Sequence, residues 1–219
     1  MKMKKILAIA TLLTLALTGC ATQSGSSHKE PFYDVQPGGL PRGWLGGVTG
    51  AGQAKWTVVV EGHSAPVAEG DLLDMDMLQQ SGVAKFCWCV KTNLSLRDGF
   101  VEVEFKPVSG KEDQAGGLIW RWQDGDNYYV ARANALEDNV TIYHTVHGVR
   151  TEKGSASFKV ATGEWHDLRV DFHGPHFSVT FDGQPALTWD DETFKDSGAV
   201  GVWTKADSVT QFRKFRWGK

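Results

Sequence analysis

Six side chains stand where an otherwise apolar, alternating chain has no packing need for them: Arg121, Arg132, Asn134, Trp203, Lys205 and Asp207. Alternate residues of a strand share a face. Arg132 and Asn134 therefore point the same way, as do Trp203 and Lys205, with Asp207 just beyond. A sugar site asks for planar apolar surfaces against the C–H faces of a pyranose and for fixed polar groups that read its hydroxyls. Arg, Asn, Lys and Asp beside Trp supply both, so these six are the candidate ligand-binding residues. A structural reading competes with it: Arg132 and Asp207 form an ion pair and Trp203 belongs to the core.

Catalytic residues stay unassigned. A retaining glycosidase needs two carboxylates about 5 Å apart, and Glu102-Val103-Glu104 is the nearest approach. Those acids alternate with Val101, Val103 and Phe105 and share their parity with Lys106, the pattern of a solvated charged face. His144, His147 and His166 are the candidate bases. His166 shares the apolar parity of Leu168 and Val170 and reads as a packed, hydrogen-bonded histidine, whereas His144 and His147 read as exposed. His173 and His176 flank Gly174-Pro175 and read as a hairpin tip. No metal signature is present, so no cofactor is expected. Ca²⁺ at Asp124, Asp126 and Asn127 is the minor alternative. Cys87 and Cys89 share one strand face and read as packed thiols.

The elements that must position these groups are strands. Val101, Val103 and Phe105 alternate with charged residues, as do His166, Leu168, Val170 and Phe172, and Phe177, Val179 and Phe181 alternate with polar ones. Period two of this kind marks half-buried antiparallel strands. Asp98-Gly99, Asp124-Gly125, His147-Gly148, Gly174-Pro175 and Asp182-Gly183 punctuate them. Candidate strands run near 55–61, 83–91, 99–107, 115–122, 127–134, 138–146, 165–173, 176–182, 185–189, 198–204 and 209–217, the spacing of an all-β sandwich of two antiparallel sheets. The segment from Leu45 to Gln53 reads as an irregular lead-in loop.

The first residues read as an address. Lys2, Lys4 and Lys5 precede an apolar run from Ile6 to Leu17, too short to span a bilayer, which ends Leu17-Thr18-Gly19-Cys20. This resembles a lipobox, with Cys20 as the lipidated residue, and Ala21 after it implies the outer membrane. Expected are a signal peptide over 1–20, a flexible tether over 21–45 and one sandwich domain over 46–219. The expected location is the bacterial cell envelope, lipid-anchored and facing periplasm or surface. Without the first twenty residues the chain has 20 basic and 26 acidic residues, about −6 with His neutral. It carries no basic stripe, so nucleic acid is excluded as a partner; a carbohydrate and, through Cys20, the membrane remain.

Gly116-Gly117-Leu118-Ile119-Trp120-Arg121 followed by Asp126-Asn127-Tyr128-Tyr129-Val130-Ala131-Arg132 resembles the concanavalin A-like three-keto-disaccharide hydrolase family. Gly163-Glu164-Trp165-His166-Asp167-Leu168-Arg169-Val170 resembles an element of laminin G-like sandwiches, and the run from Gly198 to Thr210 completes the pattern. The resemblance implies a concanavalin A-like jelly roll and the cleavage or hydration of glycosides oxidised at carbon three. Family-sixteen glycoside hydrolases, which share the fold, take their acids from an E-x-D-x-x-E strand; here Pro107 stands where the last acid would be. That counts against their mechanism. Three classes stay open: a keto-glycoside enzyme, a non-catalytic lectin-like module, and a laminin G-like interaction sandwich.

Overall fold

The computed structural model describes residues 26–30, 32, 39–60 and 76–219, and every regular element among them is a strand. One sheet has the order β13 (Gln184–Asp190), β12 (His176–Phe181), β11 (His166–His173), β6 (Gly99–Ser109), β15 (Val209–Gly218), β4 (Asp76–Gln80) and β3 (Trp56–Val60). Outside this order, β1 (Ser27–Glu30) also pairs with β15. The second sheet has the order β10 (Val149–Ser157), β9 (Asn139–Val146), β8 (Asn127–Asn134), β7 (Ala115–Asp124), β14 (Gly198–Ala206), β5 (Val83–Leu96) and β2 (Trp44–Gln53). All neighbours are antiparallel, and the two sheets form the expected jelly-roll sandwich.

The alternation works as read. Val101, Val103 and Phe105 of β6, Leu168, Val170 and Phe172 of β11, and Phe177, Val179 and Phe181 of β12 face inward. They meet Cys87, Cys89, Leu118, Trp120, Tyr129, Ala131 and Ile142 of the second sheet. Both thiols are free and buried, and burial pushes the Cys87 thiol up to about 11. Two predicted turns have the backbone their residues allow: His147-Gly148 and Asp182-Gly183 take positive φ at both positions (50° and 74°, 47° and 73°). That twist suits two-residue hairpins.

Four strands were not foreseen. β1 falls within the segment read as tether: Ser27–Glu30 pairs with β15, Glu30 accepts from Trp44 Nε1 (3.0 Å) and Lys91 Nζ (2.8 Å), and Phe32 is buried against Trp44. Burial of a Phe at about 2–3 kcal/mol outweighs the polar composition around it. β2 takes the place of the lead-in loop. Its glycines hide the alternation yet are required, because a Cβ on Gly47 would lie 2.3 Å from the Trp88 ring. β10 is an edge strand without a buried apolar face, and β4 is an interior strand of only five residues. Cys20 and the signal segment lie outside the described residues.

The outer face of the first sheet is an ionic lattice. Arg213 Nε and Lys214 Nζ each lie 2.7 Å from Glu104, and Arg169 and Arg216 each lie 3.3 Å from Glu102. Glu102 and Glu104 are committed to these pairs. His166 is buried as read, its Nδ1 2.8 Å from Asp182 and its Nε2 bonded to the backbone of Ala161.

Candidate functional site

The second sheet is apolar on both faces. Its outer face carries Phe86, Trp88 and Val90 of β5, Ile119 of β7, Tyr128 and Val130 of β8, Tyr143 of β9 and Trp203 of β14, all buried. A flat sheet would expose such rings, so the sheet must curl. Arg150 gives the measure. It sits on edge strand β10, yet its guanidinium carbon lies 4.2 Å from the ring centre of Tyr143, 4.4 Å from Phe86 and 5.3 Å from Trp203. β10 and β5 are five strand spacings apart, about 24 Å if flat, well beyond the combined reach of Arg and Phe. The outer face is therefore concave.

Two turns close one part of this concavity. The β7–β8 turn crosses the face, where Gly125 stands against Trp88 and its carbonyl accepts from Thr49 of β2; the Thr49 hydroxyl also meets Tyr128 at 2.9 Å. The β9–β10 turn follows, with Gly148 N donating to the Asp126 carbonyl at 3.0 Å. Beside this closure the face opens into a depression of about 500 Å³. Phe86 and Ala84 line it with Lys85, Glu112, Arg150 and Lys205.

Five of the six predicted residues belong to this region, in different roles. Lys205 lines the depression and pairs with Asp113 Oδ2, itself fully buried. Asn134 donates to Asp113 Oδ1 at 2.5 Å and accepts from Leu136 N. Asp207 caps the loop that carries Glu112: its carboxylate accepts from the backbone N–H of Lys111, Glu112 and Asp113 at 2.7, 3.0 and 3.1 Å. Burial acts to raise its carboxyl, and these bonds together outweigh that and hold it below the usual range. Arg132 donates to Tyr143 Oη (2.9 Å), to Glu137 (2.6 Å) and to Asn139. Its partner is thus Glu137, and the Arg132–Asp207 ion pair does not form. Trp203 is fully buried as the floor beneath Arg150.

Arg121 does not join them. Its parity with Ile119 would aim it outward, but a positive φ of 46° and a bulge in the β7–β8 pairing turn it away. The guanidinium lies 5.3 Å from the ring centre of Phe177 on the opposite sheet. It donates to the carbonyls of Arg97 (3.0 and 2.9 Å), Phe194 (2.8 Å) and Gly174 (2.5 Å). It ties three loops together at the far end of the sandwich.

The bases considered from sequence are elsewhere too. His144 is partly buried rather than exposed, 3.7 Å from Asp191, which also accepts from Tyr129 Oη at 2.5 Å. Burial first, then Lys153, lowers its pKa. His147, His173 and His176 are exposed. Asp124 uses its carboxylate on Asp126 N and Asn127 Nδ2 within the turn, and no cluster of three His, Cys, Asp or Glu suited to a metal ion occurs among the described residues.

Sequence reading missed Arg150, Lys85, Phe86 and Glu112. Arg150 sits two residues past a recognised turn, with Thr145 as its cross-strand partner, but only the curl of the sheet shows that it reaches across to β5.

Comparison with known proteins agrees with this architecture. The family described as the 3-keto-alpha-glucoside-1,2-lyase-like domain, a carbohydrate-active family, matches residues 38–217. No curated protein matches the chain. Among solved structures, the carbohydrate-binding module CBM66 from Bacillus subtilis aligns with a TM-score of 0.62 at 19% identity, covering 80% of this chain and 94% of the module. The Bacillus licheniformis beta-glucanase aligns at 0.55 and 14%, covering 90% of this chain and 99% of that one. At these identities the likeness is one of fold.

Proposed function

The chain belongs to the 3-keto-alpha-glucoside-1,2-lyase-like domain family, and on that premise we propose a carbohydrate-active protein that binds a glycoside in this depression and cleaves it when carbon three is a ketone. The observation that carries the reading is the convergence of Phe86, Arg150, Lys205 and Glu112 on one concave opening. An apolar wall, cations and a carboxylate are what a sugar needs for docking and for proton transfer.

The chemistry asks little of the protein. The C3 ketone acidifies the C2–H bond. A base removes that proton, and the electron pair forms the C2=C3 enolate with its charge on O3. The ketone then re-forms, a C1=C2 double bond is made, the C1–O bond breaks, and the departing oxygen takes a proton. We assign Glu112 as the base and Lys205 as the cation that meets the enolate oxygen. Asp207, Asp113 and Asn134 are positioning residues: Asp207 fixes the loop of Glu112, and the other two fix Lys205. The anchor in this proposal is a lipid on Cys20, which keeps the domain at the envelope.

The test is turnover of 3-keto-glucosides by the purified full chain, with unoxidised disaccharides as controls. Release from the keto substrates alone, reduced about 100-fold or more in Glu112→Gln, is expected. Saturable binding without turnover would overturn the lyase assignment and leave a lectin-like module. No binding of any glycoside would overturn the carbohydrate reading. For the anchor, incorporation of labelled palmitate should vanish in Cys20→Ala; retained label would exclude Cys20 as the lipid site.

A further inference from the structure

The cations around the depression are unequally matched. Lys205 is balanced by Asp113 and Arg132 by Glu137. Arg150 has no ion pair or hydrogen bond among the described residues, and its Nη1 is buried without an acceptor. It is held instead by the faces of Tyr143, Phe86 and Trp203. Lys85 lies 5.4 Å from the ring centre of Phe86, again with no carboxylate partner among the described residues. Among the described residues that line the opening Glu112 is the one carboxylate, and the buried Asp113, already paired with Lys205, acts on Arg150 through space. In a chain with more acidic than basic residues overall, such a surplus is local and specific.

Aromatic contacts make a guanidinium rigid without using its donors. A buried donor left unpaired is costly, and an incoming acceptor removes that cost. The fork of Arg matches a planar carboxylate in two parallel bonds, a fit that a hydroxyl does not supply. We propose that the depression selects an acidic glycoside, one whose sugar ring bears a carboxylate, with Arg150 forking the carboxylate and Lys85 adding attraction at the rim. The inference rests on the reading of this depression as a sugar site, and it is compatible with a ketone at C3, since a uronic acid carries its carboxylate beyond C5.

Titration calorimetry on the full chain decides it, with oligoglucuronate, the matched neutral gluco-oligosaccharide and a glucose phosphate. Expected is binding of the glucuronate at least tenfold tighter than the neutral sugar, weakened by salt. Arg150→Gln should abolish the preference, Arg150→Lys should retain only part of it, and Lys85→Gln should weaken it a few-fold. The glucose phosphate should fall below the glucuronate; a phosphate bound more tightly would overturn the carboxylate assignment. Equal affinity for acidic and neutral sugars would overturn the inference while leaving the sugar site standing. So would an acid preference that survives in Arg150→Gln. Binding of none of the three, with 3-keto-glycosides also unbound, would overturn the site itself. The comparison of ligands on the unaltered chain needs no variant to fold.

Discussion

Lys205→Met isolates the ion pair beneath the depression. Asp113 is fully buried, Asn134 satisfies its Oδ1, and Oδ2 accepts no hydrogen bond, so the Lys205 ammonium balances that oxygen. Removing one partner of a buried pair costs about 3–5 kcal/mol, because the remaining charge is stranded. The Lys205 side chain is 29% exposed, so water reaches part of the gap and the lower end, about 3 kcal/mol, is the expected loss. Asp113→Asn should cost less, about 1–2 kcal/mol, since the freed lysine can turn to solvent and the amide can still meet Asn134. The double variant should be no worse than Asp113→Asn alone, a coupling of about 3 kcal/mol in a double-mutant cycle. Urea unfolding of the four proteins, followed by tryptophan fluorescence, measures it. Additivity within about 0.5 kcal/mol, or a loss below about 1 kcal/mol for Lys205→Met, would refute the stranded-charge argument.

Three further outcomes follow from other parts of the structure. Burial first, then Glu102 and Glu104, raises the Asp167 carboxyl to about 7. The folded state therefore holds a proton that the unfolded chain releases near pH 4, and stability should fall as pH rises from about 4 to 7, then level off. Urea midpoints at pH 5 and pH 8 should show that fall in the unaltered chain and a smaller one in Asp167→Asn. Arg121→Met should destabilise by about 2–4 kcal/mol, by depriving three loop carbonyls of a charged donor, yet leave sugar affinity unchanged, which calorimetry checks. Gly201→Ala places a Cβ 2.2 Å from the Cys89 carbonyl and should lower the melting temperature far more than Gly183→Ala, where nothing lies within 4 Å and only a φ of +73° is strained.

Much of the fold was legible because strand periodicity is local. Val101, Val103 and Phe105 face inward in any sheet that buries one side, and Asp182-Gly183 turns the chain wherever it occurs. β2 and β10 were hidden for opposite reasons: glycines erased the pattern of the first, and solvent on an edge strand gave the second none. Trp203, Lys205, Asn134, Arg132 and Asp207 were singled out because polar or bulky groups in apolar strands are conspicuous.

Their roles were another matter. Sequence parity tells which side of a strand a residue takes, and it placed Trp203 and Lys205 together. It does not give sheet curvature, which sums small twists over seven strands and brings Arg150 on one edge to Phe86 near the other. Nor does it reveal a bulge, and one residue in the left-handed region at Arg121 was enough to send a predicted ligand residue to the other end of the sandwich. The sequence by itself determined the sandwich, its inward faces and the group of residues on β8 and β14. Only the tertiary structure decided which of them line an opening and which lie beneath it, because that choice depends on distances between strands far apart in the sheet.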